Sequence, residues 1–148
     1  MSRNKARLVA MQGLFQLDDD LEGMKLVIEF RAGEEELAPR DSKYLEELVN
    51  SVVDNQAAID ERIGKYSIGW DVSRLGKVER AILRLAIAEM LYMTDIPVSV
   101  SINEAVLLAK KYGADQASKF INGILGKFSR EELDADPANR AKRKDPRQ

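Results

Sequence analysis

Neither cysteine nor histidine occurs in the 148-residue sequence, and tryptophan occurs once. Without cysteine there is no disulfide framework, no thiolate zinc site and no thiol nucleophile, a pattern that suits a reducing cytoplasm. Without histidine the commonest general base near neutral pH and the usual transition-metal ligand are both missing. Serine and threonine then have no partner for a conventional catalytic triad. Phosphate-cradling glycine loops are missing too. Gly123-x-x-Gly126-Lys127 falls inside a helical pattern and matches neither the P-loop nor the dinucleotide fingerprint. Long hydrophobic runs are absent: the most apolar stretch, Ala81 to Met93, is interrupted by Arg84 and Glu89 and is too short to span a bilayer. The opening MSRNKARLVAMQGLFQ has no apolar h-region and no small-residue cleavage site. These absences point to a soluble, cytoplasmic, non-enzymatic protein with no cofactor, no metal and no membrane contact.

What is present is helical. Apolar residues make up 45% of the chain, enough for one core, and the length suits one domain. Only Val98 and Val100, after Pro97, alternate with the period of a strand. Leu8, Met11, Leu14 and Phe15 form a first helical stripe, with Ser2 as its expected N-cap. A second helix is expected over Leu21 to Phe30, and Gly33 with Glu34 to Glu36 reads as a loop. Pro39 opens a third helix through Tyr44, Leu45, Leu48, Val49, Val52 and Val53. Ala57, Ile59 and Ile63 either extend it or start a short fourth helix, before a break near Trp70 bracketed by Gly64 and Gly69. Val78 to Leu91 leaves little polar face and should be central. Asp95-Ile96-Pro97 stops that helix. Ser101 and Glu104 have capping-box spacing, Gly113 is a natural C′ residue, and a last helix carries Ala117, Phe120, Ile121, Ile124, Leu125 and Phe128. Residues 134–148 are polar and basic and are expected to form a disordered tail. The fold class is all-α: a single domain over residues 1–133 with six or seven helices.

The formal net charge is only -2, which excludes a uniformly basic nucleic-acid binder but not a local basic patch. Arg3, Lys5 and Arg7 stand at the start of the first helix, where no acidic residue accompanies them. Cations there oppose the positive end of the helix dipole, at a few tenths to about 1 kcal/mol each. Either the terminus is frayed and its charges aid solubility, or an anionic partner such as a phosphate chain reverses the sign. Lys119 and Asn122 flank Phe120 on the last helix. An exposed Phe120 would stack a base, whereas the spacing 117, 120, 121, 124, 128 favours a core position. Gly123 inside that helix requires something close to its backbone, either a neighbouring helix or a ligand. The runs Asp18-Asp19-Asp20 and Glu34-Glu35-Glu36 read as solvated junctions rather than cation sites.

Five blocks in order carry a resemblance. They are Ala6-Arg-x-x-Ala-x-Gln-Gly-Leu-Phe, Leu75-Gly-Lys-Val-Glu-Arg-Ala-Ile-Leu-Arg-Leu-Ala-Ile-Ala-Glu-Met with Asp95-Ile-Pro, Ile102-Asn-Glu-Ala-Val, Lys111-Tyr-Gly and Ser118-Lys-Phe-Ile-Asn-Gly-Ile-Leu. Together the chain resembles the NusB transcription antitermination family from about Arg3 to Phe128. The fold is also similar to the RNA-binding region of a ribosomal-RNA cytosine methyltransferase family, whose catalytic domain and cysteines are lacking here. The resemblance implies two small packed helical bundles. It implies binding to the boxA element of nascent ribosomal RNA together with NusE, a ribosomal small-subunit protein, within the RNA polymerase antitermination complex. It places the RNA contacts on Arg3, Lys5, Arg7, Lys119, Phe120 and Asn122, and the NusE contacts on Glu79, Lys77 and Arg80. The competing reading is a helical adaptor or self-associating module, a possible homodimer, for which RNA is not the main ligand.

Overall fold

The computed structural model describes residues 2–17, 20–67 and 75–133. The expected break near Trp70, the residues Asp18 and Asp19, and the tail 134–148 lie outside the described residues. Among the described residues there is no strand, and seven α-helices follow one another. They are α1 (Ser2–Leu14), α2 (Leu21–Glu34), α3 (Pro39–Asp54), α4 (Gln56–Tyr66), α5 (Lys77–Tyr92), α6 (Val98–Tyr112) and α7 (Ala117–Phe128). A π-helical turn, Ser129–Leu133, closes the described chain. Among the described residues no helix is long and apolar enough to cross a membrane.

Local chemistry sets most of the helix ends. Asp20 caps α2 by accepting the Gly23 amide at 2.9 Å. Pro39 occupies the first turn of α3, where a missing N–H costs nothing. Ser2, expected as a cap, is instead the first residue of α1. Helix α2 runs to Glu34, past the expected loop, because Arg31 binds Glu34 and lies 3.7 Å from Glu35. The turn that follows falls on Glu36, whose φ of 52° is left-handed. Helix α6 starts at Val98, three residues before the Ser101 capping position. Ser101 is buried and donates its hydroxyl to Glu89 at 2.7 Å, so Pro97 stands at the N-cap without a side-chain bond.

The helices pack as two groups around α5. Helix α1 lies on α2, α3 and α5; helix α7 lies on α4, α5 and α6. Ten consecutive residues of α5, Ala81 to Met90, are buried. An amphipathic helix has a wet face; α5 has almost none, because it is covered from both groups. Burial of side chains such as Ile82, Leu83, Ile87 and Met90 stabilises the fold by roughly 1.5–3 kcal/mol each. Of its three buried charges, Glu79 accepts a backbone amide, and Arg84 and Glu89 are paired with charged side chains of neighbouring helices. Arg84 forks onto Asp60 of α4 with two 2.8 Å bonds, and Glu89 reaches α1.

Candidate nucleic-acid interface

Glu89 gathers the beginning of the fold around itself. Arg7 of α1 donates to its two oxygens at 3.0 and 2.9 Å, Ser101 of α6 donates to one of them, and the Tyr44 hydroxyl of α3 donates to the other. Burial draws the Arg7 guanidinium toward neutrality, but the bonds and charge of Glu89 outweigh it, so its pKa lies above the ordinary arginine value. Burial, with the neighbouring Glu89 charge, likewise raises the Tyr44 pKa well above the usual phenol value. This cluster bears on the expectation for Arg7. At 5% exposure and with its fork occupied by a carboxylate, Arg7 is a core ion pair, enclosed where the resemblance implies an RNA contact.

Arg3 and Lys5 remain on the surface. Arg3 lies with its guanidinium carbon 4.8 Å from the Tyr44 ring centroid, in cation–π contact, and 3.6 Å from Asp95. Both members of that ion pair are solvent-facing, so it is weak and easily exchanged. Lys5 is exposed and enters no ion pair among the described residues. The first turn of α1 carries no acidic side chain, so its free amides and these two cations share one positive end.

On α7 the alternation is resolved. Lys119, Asn122 and Gly123 are exposed, while Phe120 is half-buried and packs against the core. Phe120 is thus only partly open to a ligand. A Cβ at Gly123 would meet nothing within 4 Å, so no neighbouring helix requires the glycine. Helices α1 and α7 belong to different groups and share α5 as their main common neighbour. The structure therefore does not gather the six expected RNA residues into one pocket. It leaves two surface segments, Arg3 with Lys5, and Lys119 with Asn122 and the rim of Phe120.

Of the residues expected to meet a partner, Lys77 is exposed, with its ammonium 5.5 Å from the Phe15 ring centroid, and Arg80 is partly covered. Glu79, the third of these residues, faces inward. It is buried and accepts the Ala114 amide at 2.9 Å, which ties the start of α5 to the α6–α7 turn. That turn ends on Gln116, whose φ of 69° is left-handed. Gly113 is needed beside it, since a Cβ there would lie 2.7 Å from the Ala109 carbonyl and 3.0 Å from Glu79 Oε2. Among the described residues no group of three or more acidic, histidine or cysteine side chains is arranged to hold a metal ion.

Sequence comparison decides the family. The sequence model of the NusB family matches residues 4–130. The transcription antitermination protein NusB of Bacillus subtilis strain 168 is 46% identical over 125 residues, covering 84% of this chain and 92% of that protein. The chain belongs to the NusB family. Solved NusB structures share its fold: T. maritima NusB aligns with a TM-score of 0.81 at 31% identity, over 94% of this chain and 96% of that one. A crystal structure of antitermination factors NusB and NusE in complex with double-stranded RNA aligns with a TM-score of 0.77 at 29% identity, over 87% of this chain and 96% of that one. Membership of the NusB family accounts for the two helical groups around a buried α5. What sequence reasoning missed was the Glu89 cluster, although a lone acid inside the most apolar stretch was its visible trace.

Proposed function

We propose that this chain is a cytoplasmic transcription antitermination factor that binds boxA-type single-stranded RNA together with NusE and works by binding alone. The family match over residues 4–130 carries the reading, and the likeness to a NusB–NusE–RNA complex supports it. Charge neutralisation falls to Arg3 and Lys5 at the open end of α1. Hydrogen bonding and ring contact fall to Lys119, Asn122 and Phe120 on α7. NusE, docked near Lys77 and Arg80, raises the affinity for RNA, and RNA raises the affinity for NusE by the same factor. Glu79 serves that surface from within, by holding the α6–α7 turn in place. The assembled unit then joins the RNA polymerase antitermination complex.

The test is a titration of labelled boxA-type RNA, single-stranded and duplex, at several salt concentrations with and without NusE. Tighter binding of the single strand, strengthened by NusE, is expected. Binding indifferent to sequence and to NusE would overturn the reading. A second reading, self-association as a homodimer, is favoured by Leu26 and Phe30, which are 67% and 65% exposed one turn apart on α2. Light scattering over a range of concentrations tests it; a monomer throughout would dismiss it.

A further inference from the structure

Arg7 leaves a deficit of positive charge at the RNA edge of α1, and the neighbouring helix supplies more. Arg3, the second residue of α1, lies over Tyr44, which stands one turn into α3. The two helices therefore bring their N-terminal ends, both positive dipole ends, to the same place. Arg40, the second residue of α3, is exposed and precedes Tyr44 by four positions, so it projects from the same side of the helix. It takes part in no ion pair among the described residues.

A second feature there is independent of charge at the surface. Asp41 is 3% exposed, and its Oδ2 is fully buried with no hydrogen-bond donor. It continues the buried stripe of α3, one turn before Tyr44 and Leu45. A buried carboxylate oxygen left without a donor is among the costliest arrangements a fold can keep. The cost is offset if a ligand brings the donor. Phosphate cannot, because it only accepts. A ribonucleotide can, through its 2′-hydroxyl or the exocyclic amino group of a base.

We propose that the RNA-binding edge continues from α1 onto the first turn of α3, where Arg40 neutralises a phosphate and Asp41 accepts a hydrogen bond from the attached nucleotide. This rests on the RNA-binding reading and adds a selective contact to it. Because Asp41 Oδ2 is enclosed, the bond requires the first turn of α3 to open as RNA binds; Arg3, held only by a ring face and one long ion pair, is a neighbouring cation that can move onto phosphate.

The experiment uses the full chain with single-stranded boxA-type RNA carrying, at each position in turn, a 2′-deoxy sugar or a base without its amino group. Wild type should lose about 5- to 150-fold in affinity at one position, in the deoxy series if the donor is the ribose or in the base series if it is the amine. Asp41→Asn should lose that discrimination, and Arg40→Ala should lower the slope of log affinity against log salt by about 0.7. A profile unchanged in Asp41→Asn, or a slope unchanged in Arg40→Ala, overturns the proposal. If Asp41→Asn does not fold, the carboxyl carbon resonance of Asp41 in the wild type replaces it: it should shift on adding RNA, and an unmoved signal overturns the proposal. Failure of the wild type to bind any RNA would sink the RNA-binding reading itself, whereas binding without positional discrimination would sink only this extension.

Discussion

Arg7 of α1 and Glu89 of α5, 82 positions apart in sequence, meet as a two-pronged buried ion pair. The pair joins the first helix to the central one, and Tyr44 and Ser101 complete the carboxylate's hydrogen bonds. Removing one member leaves the other charged and enclosed. Glu89→Ala should therefore cost about 3–5 kcal/mol of folding stability. Replacing both, Arg7→Met with Glu89→Leu, should cost less than the two single changes added together. Urea denaturation of Glu89→Ala, of the two single changes and of the double variant checks this; a Glu89→Ala cost below about 1 kcal/mol would contradict it.

The same pair separates stability from RNA affinity. Arg7→Met should weaken folding yet leave the salt slope of RNA binding unchanged in the fraction that is folded. Lys5→Ala should leave folding nearly unchanged and lower the slope by about 0.7. Fluorescence titrations at four or five salt concentrations distinguish the two, and equal slopes in Lys5→Ala and wild type would remove Lys5 from the interface.

Asp95 competes with phosphate for Arg3. The 3.6 Å contact is exposed on both sides, so its strength is of the order of 0.2–1 kcal/mol. Asp95→Asn should tighten RNA binding by up to about fivefold at low salt, with the gain shrinking as salt rises. Weaker binding in Asp95→Asn would mean that the carboxylate orients Arg3 productively rather than occupying it.

Tyr44 gives the fold an alkaline limit. Its folded pKa is raised, mainly by burial, above the unfolded value of about 10. Below pH 10 both states keep the phenol proton and there is no effect. Above it the unfolded chain releases the proton while the folded chain holds it, so stability falls by up to about 1.4 kcal/mol per pH unit. Denaturation curves between pH 8 and 11 should show this fall, and Tyr44→Phe should flatten it while lowering stability at neutral pH.

Two glycines should behave in opposite ways. Gly123→Ala meets open space in a helix and should add about 0.5–1 kcal/mol of stability while weakening RNA binding if RNA approaches the α7 backbone. Gly113→Ala drives a methyl into the Ala109 carbonyl and should destabilise by about 1–3 kcal/mol. Thermal melts of both, with an RNA titration of Gly123→Ala, provide the check.

Helix spacing made much of this architecture readable in advance. The stripe of α3 and the near-continuous burial of α5 follow directly from the apolar pattern at Tyr44 to Val53 and Ala81 to Leu91. Ordered motif blocks supplied the family. Helix ends were less legible, because Arg31 lengthens α2 through ion pairs and Ser101 gives its hydroxyl to another helix instead of its own. Side-chain roles were least legible of all. A cation at a helix start looks the same in sequence whether it faces a solvated phosphate, as Lys5 can, or a buried carboxylate 82 residues away, as Arg7 does. Glu79 escaped for the same reason: its partner is a backbone amide in a turn 35 residues on.

The two ion-paired charges buried in α5 are also of opposite sign, five positions apart, and each answers to a different neighbour: Arg84 to Asp60 and Glu89 to Arg7. Such a helix is keyed. Sliding it by a turn or rotating it between its neighbours would strand a guanidinium and a carboxylate among leucines and isoleucines. Wrongly docked arrangements that conserve the same greasy contact area are thereby penalised, and the assembly of the molecule acquires a unique register that oil-like collapse alone would not impose.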